Sequence, residues 1–482
     1  MANADTGDNS TVSRARLESW TQNLCFWQLV AILCWAPFPL GSNRDWSWSL
    51  LTLLVSLSWI PWALWAWPAP EACWRNLKRL RVPLCLAGLT LAWATIQALP
   101  IVPSGWVHPI WPITGGLLQH PIAGTISLNP WRTLSQVTKL TTYIAFAWMV
   151  FTLTRNVDRA RQLLNAIIVI GAAYAAYAFA LSLVGIEQFS LFYSPPLGLP
   201  YLSGPLVLHN SFSTFEGLAS LASLARLVEL ASEKLLVSKG LRRWALTTLQ
   251  FLFGSGVPVV LATILTISAL VASASRGGFF STCVAIVAIA ILFLSRLKRD
   301  MRQRWLLIGV TCLALMMIGL IWISGETLNN RIVDLIDAGN ADEIRLALWA
   351  AARRMITDAP LLGLGLGTFQ DAYPMYATKL FPFIMDKAHC DYLEFAAGIG
   401  LPAAICWWGA MVWCTAQMVR GLFARRKDRI YPLVGIGSTI LVAVHSSVDF
   451  SLQIPAVSVT YAALLGVGLA QSYSSQSQKK KG

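Results

Sequence analysis

The sequence predicts an all-α polytopic membrane protein, with about twelve transmembrane helices and a large non-cytoplasmic loop carrying short amphipathic helices. Three observations predict it. The 482 residues are 56% hydrophobic and 12% charged, with a mean hydropathy of +0.58; a soluble domain carries roughly 25% charged residues. Apolar runs of about 20 residues, the length of one helical crossing, recur along the chain. The loops between them alternate sharply in basic charge.

The runs fall at 24–41, 46–67, 82–99, 133–154, 163–185, 211–232, 257–275, 278–295, 305–324, 391–418, 429–447 and 456–472. The run 211–232 is the weakest, because it contains Glu216, Arg226 and Glu229. One set of loops carries Arg75, Lys78, Arg79 and Arg81, then Arg155, Arg159 and Arg161, then Lys239, Arg242 and Arg243. It continues with Arg296, Lys298 and Arg299, then Arg425, Arg426 and Lys427, and ends with Lys479, Lys480 and Lys481. Short basic loops stay in the cytoplasm, so both termini are expected there. The expected layout is a cytoplasmic tail 1–23, helices over 24–324, a large outer loop 325–390, helices over 391–472 and a basic tail 473–482.

The net charge of +14 is then chiefly a topology signal. Nucleic acid is not an expected partner, since phosphate tracking needs one patch or stripe. Membrane lipids are, through anionic headgroups. The polar first 23 residues and the further spans after the first apolar run do not read as a cleavable signal peptide. Most of the nine cysteines lie inside spans, no CxxC pairing occurs, and no structural disulfide is expected.

Chemistry is expected in the outer loops. Residues 100–132, rich in Pro, Gly and aromatics, read as an interfacial loop packed on the bundle. In EIRLALWAAARRMITDAP the residues Ile344, Leu348, Ala351, Ala352 and Met355 form an apolar stripe, while Arg345, Trp349 and Arg353 share another face. GLGLGTF follows as a glycine-rich turn; it lacks the Lys-Ser/Thr of a phosphate-binding loop.

Three ionisable residues stand out where the membrane makes charge expensive. Arg276 lies in SASRGGFFS between two apolar runs, followed by Gly277 and Gly278, which let a ligand approach the amides of a helix start. Arg345 has the bidentate fork that suits phosphate, beside Trp349, Arg353 and Arg354. His389, in DKAHCDYLEF, is a candidate base near neutral pH; Asp386, Asp391 and Glu394 are each close enough in sequence to orient it. The bland readings are an interfacial arginine, a solvated helix residue and an interfacial histidine. Two arginines and a histidine in one compartment point instead to a diphosphate leaving group with an acid/base partner. His209 and Asn210 are candidate lining residues of the same cavity, and His445 and Asp449 share a helical face as a buried pair or cavity wall.

The order of SRGG between two spans, R-x-x-x-W followed by DAPLLGLGLGTF, AH-x-x-YLE before a span and HSSVDFSLQIP near the end resembles the O-antigen ligase and polymerase superfamily. LSGPLVLHNSF resembles that family's asparagine-containing approach to a mid-chain span. The resemblance covers roughly residues 200–470. It implies a bacterial inner-membrane glycosyltransferase of the GT-C type, with its site facing the periplasm, and no metal or cofactor. The implied partners are an undecaprenyl-diphosphate-linked oligosaccharide, a glycan or lipid A–core acceptor, and a chain-length regulator. It implies that Arg276 and Arg345 contact the diphosphate and that His389 is the essential histidine. Arg353, Trp349, Asn210 and Asp449 are the expected substrate-binding residues. The chain departs from the family in Cys390, where asparagine commonly follows the histidine, and in Gly398, where a glutamate is common. Polymerisation of repeat units is the first expectation and ligation to lipid A–core the second. A non-enzymatic flippase of the same lipid-linked sugar is the rival class; transporters place charge near the midplane and often carry pseudo-repeats, whereas here the charges gather at one face.

Overall fold

A computed structural model of the chain describes residues 6–68, 70–183, 202–206, 208–235, 246, 250, 254, 256–295, 343–379, 381–382 and 384–473. The expected span 305–324, the polar opening 325–342 of the outer loop, residues 184–201, the loop cations Lys239, Arg242, Arg243, Arg296, Lys298 and Arg299, and the tail 474–482 lie outside the described residues. Within them the fold is all-α, with no strand.

The helices are α1 (Thr6–Trp35), α2 (Asp45–Ala66), α3 (Pro70–Ala98), α4 (Ile110–Leu117), α5 (Pro130–Leu153), α6 (Val157–Leu183), α7 (His209–Leu235), α8 (Val257–Ala272) and α9 (Arg276–Leu294). A helix over 343–358, here α10, is followed by α11 (Phe369–Tyr376), α12 (Asp391–Ile399), α13 (Leu401–Ala424), α14 (Ile430–His445) and α15 (Pro455–Ala470). Asp45–Ala66, Cys73–Ala98, Val157–Leu183 and Arg276–Leu294 are long and apolar enough to cross a membrane; Val257–Ala272, Ile430–His445 and Pro455–Ala470 are apolar but shorter. The other expected crossings correspond in position to α1, α5, α7 and α13.

The expected single span 391–418 is two helices. Gly400 takes a left-handed φ of 81° between them, and Pro402 sits in the first turn of α13, where its missing N–H costs nothing. A side chain at 400 would meet the Leu361 carbonyl oxygen at 2.3 Å, so the break needs glycine. α12 is thereby freed from the long helix and belongs to the site end of the bundle.

The weak run 211–232 is the centre of the bundle. α7 packs on α6, α8, α9 and α14, and Phe212, Phe215, Leu218 and Leu221 are buried. The Glu216 carboxyl is buried with it and has no hydrogen-bond partner among the described residues. The polar residues that weaken this run as a lipid-facing span suit a helix enclosed by protein.

The two ends of the bundle differ chemically. At one end arginines close helix C-termini: Arg155 donates to the Ala470 carbonyl at 2.5 Å, and Arg425 donates to Gln471 at 2.6 Å and Tyr473 at 2.8 Å. These carbonyls have no intrahelical donor, and the helix dipole favours a cation there. At the other end α5, α7, α9 and α15 begin and α14 finishes.

Over that second end lies a separate small core. Leu348, Ala351, Ala352 and Met355, the stripe read from the sequence, are buried against Phe369, Tyr373, Met385 and Ala388. Ile344 is only half-buried at its rim. The turn 359–367 ties this layer to the bundle. Leu364 and Gly365 amides donate to the Ala397 and Gly398 carbonyls at 3.0 and 2.8 Å, and the Leu128 amide donates to Leu364 at 3.0 Å. The Trp93 indole donates to Ile399 at 2.9 Å. Residues 100–132, with α4 inside them, pack beneath this turn as expected: the Ser127 amide donates to Gln97 at 2.9 Å.

Gly365 stands at φ 108°, with Ser127 Cα 2.9 Å from where a Cβ would lie. Both strain and overpacking oppose a side chain there. Gly365→Ala is expected to lose about 2 kcal/mol of stability or more, read as a lowered unfolding midpoint of the detergent-solubilised protein. A surface change such as Arg353→Ala should leave the midpoint within about 0.5 kcal/mol.

Candidate active site

His389 occupies a tight turn before α12. Its φ of 51° is left-handed, a conformation uncommon for a residue with a side chain and concentrated at functional sites. Several contacts hold it. The preceding Ala388 amide donates to Glu394 at 2.7 Å. The Asp391 amide donates to the Ser446 carbonyl at 2.9 Å. The Asp391 carboxylate accepts from Ser446 Oγ at 2.9 Å and from Gln453 Nε2 at 3.0 Å. α12 is thus pinned to the turn that follows α14.

That turn presents Asp449 to the histidine. Asp449 Oδ1 is 3.5 Å from His389 Nδ1; the carboxylate side chain is 4% exposed and the imidazole 32%. The separation is longer than a formed hydrogen bond and within ion-pair range of a protonated imidazole. The Phe450 ring packs edge-on to the imidazole with centroids 4.8 Å apart, and the Phe450 amide donates to Asp449 Oδ1 at 2.8 Å. Burial opposes ionisation of Asp449. The histidines His389 and His445 and the Phe450 amide outweigh it, so the carboxyl is held below its ordinary range.

None of the three carboxylates near in sequence therefore faces the imidazole. Asp391 is spent on Ser446 and Gln453, Glu394 on the Ala388 amide, and Asp386 is exposed. Asp449, expected to line the substrate cavity or pair with His445, stands closest to His389 and remains within electrostatic reach of His445. His445 is buried one turn away, with Nδ1 2.9 Å from Thr214 Oγ1 and 3.1 Å from Ser451 Oγ.

His445 also meets the start of α9. A Cβ on Gly277 would lie 3.2 Å from its Cδ2 and Nε2 atoms, so a glycine lets the helix start abut the ring. Ser275 caps α9, its Oγ accepting from the Gly278 amide at 3.2 Å. Arg276 is the first residue of α9 and is exposed. His209 at the start of α7 places Nδ1 2.9 Å from the Ser273 carbonyl, on the turn that leads to Arg276. Asn210, next to it, is half-buried, and its carbonyl accepts from Thr214 at 3.1 Å.

Arg345 approaches from the overlying layer. Trp349, one turn further along α10, donates from its indole to the His389 carbonyl at 3.4 Å. Arg345 is half-buried and lies within electrostatic reach of His209 and His445. Arg353 is exposed on the same face, and Arg354 is committed to the Tyr376 carbonyl at 2.9 Å. A run of contacts thus joins Trp349 to His389, His389 to Asp449, and His445 to the α9 start, bringing His389 and the helices that carry Arg276 and Arg345 to one end of the bundle. Arg353 is peripheral to it.

The arrangement can bind an anion and move a proton. An exposed guanidinium stands at a helix N-terminus, where the dipole adds to it. An imidazole with a buried carboxylate on Nδ1 has Nε2 left for a substrate hydroxyl. No group of three or more His, Cys, Asp or Glu residues suited to a metal ion occurs among the described residues. An apolar crevice between α3, α5, α13 and α15, lined by Leu84, Trp148, Met411 and Gly466 among others, lies apart from these groups.

Residues 261–408 match the family model described as O-antigen ligase. The matched segment contains Arg276, Arg345 and His389, and it supports the O-antigen ligase and polymerase superfamily. No curated protein matches the chain.

Asp449 gives a pH test. Its native value is lowered, so the stability it contributes is fully present above the ordinary carboxylate value of about 3.9 and is lost as the pH falls through the native value. Asp449→Asn should therefore be less stable than wild type by a constant margin at neutral pH. That margin should close on acidification below about pH 4, measured as unfolding midpoints across the pH range; a margin that does not change with pH would remove the charge-pair account.

Proposed function

We propose that this chain transfers a glycan from undecaprenyl diphosphate to a glycan acceptor at the periplasmic face of a bacterial inner membrane. Polymerisation of O-antigen or exopolysaccharide repeat units is the first reading. Ligation to lipid A–core is the second, favoured by the match to the O-antigen ligase family model. The observation that carries the proposal is the buried Asp449 carboxylate 3.5 Å from His389 Nδ1, beside a matched segment bearing both candidate arginines.

In the proposed reaction an acceptor hydroxyl oxygen attacks the anomeric carbon. The bond from that carbon to the diphosphate oxygen breaks, and its electron pair stays on the diphosphate. Arg276 and Arg345 bind this leaving group and stabilise its growing charge. Arginine suits the role because its fork pairs with phosphate oxygens two at a time. The hydroxyl proton passes to His389 Nε2, and Asp449 steadies the imidazolium that results. Direct displacement inverts the anomeric carbon. A diphosphate leaves without acid help, so a second carboxylic acid of the glycosidase kind is not needed.

On this reading about twelve crossings place both termini in the cytoplasm, and residues 325–390 form the outer catalytic loop. Trp349 and Asn210 line the glycan path, with Arg353 exposed beyond it. Undecaprenyl-diphosphate glycan is the donor, and a chain-length regulator is a further partner of a polymerase.

Reconstituted protein with the lipid-linked glycan tests the proposal. New glycosidic bonds are expected; movement of the glycan across the membrane with no new bond would make the protein a flippase instead. Arg276→Ala and Arg345→Ala are each expected to lower kcat/KM by about 100-fold or more, as loss of a charge-stabilising donor does elsewhere, and lysine should rescue poorly. His389→Ala should lower kcat by about 100-fold or more with donor KM little changed. Wild-type rates in any of the three would remove that residue from the chemistry.

A further inference from the structure

The apolar crevice between α3, α5, α13 and α15 takes no part in the chemistry above. Its lining comes from residues 80–87 of α3, 144–151 of α5, 407–414 of α13 and 465–469 of α15, and none of the lining residues carries a charge. The α3 stretch rises about 10 Å, within the roughly 15 Å of hydrocarbon that one leaflet supplies. α5 ends at Leu153 and α15 at Ala470, so the crevice lies in the half of the bundle where Arg155 and Arg425 sit, away from His389. It encloses about 90 Å³. A cavity of roughly 150 Å³ takes a benzene, so there is room here for a short run of methylene groups and none for a sugar. Leu84, Trp148, Trp407 and Met411 along it are half-buried, which leaves it reachable from outside the bundle.

An apolar crevice on a lipid-bounded bundle meets acyl chains whatever its purpose. The cation at its end sets this one apart. Phe151, in the lining, packs edge-on against the Tyr473 ring with centroids 6.3 Å apart. The Arg79 guanidinium carbon lies 5.2 Å from the centroid of that same ring, and that of Arg155 lies 5.8 Å from it. One ring therefore joins the crevice to two arginines. The Tyr473 hydroxyl also donates to the Arg79 carbonyl at 3.2 Å, and Leu80, the next residue, is where the α3 lining begins. Arg155 is buried. Arg79 is half-buried and donates to Asn76 Oδ1 at 3.3 Å. No carboxylate pairs with Arg79 among the described residues. Lys78 and Arg81, beside it in sequence, are exposed. The carbonyls at the end of α15, which would repel an anion here, are already taken by Arg155 and Arg425 at 2.5 and 2.6 Å.

We propose that the crevice and Arg79 together seat one anionic glycerophospholipid, with an acyl chain between α3, α5, α13 and α15 and its headgroup phosphate on the Arg79 guanidinium. A guanidinium laid on an aromatic ring is held in one orientation, and its fork takes two phosphate oxygens at once. The apolar space begins at the residue next to it, as a lipid with its phosphate at the surface and its chain below requires. The ammonium of a zwitterionic headgroup would meet the field of Lys78, Arg79 and Arg81, so a headgroup with net negative charge is favoured. The polyprenyl tail of a carrier lipid fits less well, because its phosphate would be drawn to Arg276 at the other end of the bundle. The seat shares no residue with the transfer site and stands apart from the transfer reading. A lipid that binds only the folded bundle also stabilises it.

Native mass spectrometry of the delipidated full chain in detergent reads the seat without turnover. The probes are phosphatidylglycerol and phosphatidylethanolamine with the same acyl chains, and undecaprenyl phosphate. Wild type is expected to bind its first phosphatidylglycerol about tenfold more tightly than phosphatidylethanolamine, a difference of roughly 1.4 kcal/mol. Arg79→Gln should weaken phosphatidylglycerol until the two lipids bind alike, and Arg79→Lys, which keeps the charge, should restore part of the preference. Ala410→Leu, which fills the crevice, should weaken both lipids to the same degree while the unfolding midpoint in lipid-free detergent holds. If that midpoint falls, the Arg79 comparison decides alone. Equal binding of the two lipids by wild type, or a preference that survives Arg79→Gln, would overturn the proposal. Unchanged binding by a folded Ala410→Leu protein would put the lipid elsewhere on the surface and overturn it equally. Undecaprenyl phosphate that displaces phosphatidylglycerol one for one, with a dependence on Ala410 and none on Arg79, would make the crevice a groove for the carrier tail instead.

Discussion

A buried carboxylate fixes everything else at the polar end of this bundle. Asp449 cannot remain charged at 4% exposure without positive or donating groups around it. The turn after α14 supplies the Phe450 amide, and the loop before α12 supplies the imidazole. That loop reaches Asp449 only by turning through a left-handed residue at His389. The cost of the turn, of order 1 kcal/mol, is offset by the Glu394 contact to the preceding amide and the Asp391 contacts to Ser446 and Gln453. Glu394 thus holds the backbone before the histidine and Asp391 holds the side chains of the facing turn, so that a third carboxylate can serve the histidine.

The same economy of backbone groups explains why the site lies at helix ends. In a lipid-bounded bundle the middle of a helix has its amides and carbonyls satisfied within itself. Only the ends offer free donors and sharp changes of direction. α7, α9 and α12 all begin near the site, and α14 ends there. Glycine at 277 lets the α9 start abut His445, and glycines in the turn 359–367 let the overlying layer come within backbone contact of α12. At the far end the carbonyls that close α15 meet Arg155 and Arg425 instead.

Much of this was legible in the sequence, for identifiable reasons. Charge is so costly beside apolar runs that Arg276 and His389 announced themselves, and the 3.6-residue period exposed the stripe Leu348, Ala351, Ala352, Met355 that is buried in the structure. The glycine-rich turn read correctly because no other residue takes those backbone angles easily. What was not legible depends on contacts between segments remote in the chain. Proximity in sequence favoured Asp386, Asp391 or Glu394 as the partner of His389; the carboxylate at its Nδ1 is that of Asp449, 60 positions away by numbering, which helical period linked only to His445, with which it also interacts. The break at Gly400 was hidden inside a continuous apolar run, although Gly400 followed by Pro402 was its signal.

The candidate arginines differ from other cations near this end of the bundle. Arg132 and Lys387 each share their charge with a carboxylate at 3.2 and 3.7 Å, whereas no ion pair to Arg276 or Arg345 occurs among the described residues. In the proposed transfer the leaving diphosphate would gain negative charge in the transition state, so a carboxylate paired with either arginine would raise the barrier by repulsion. Guanidinium groups without such partners suit that role, and the one buried acid of the turn, Asp449, stands against the imidazole instead.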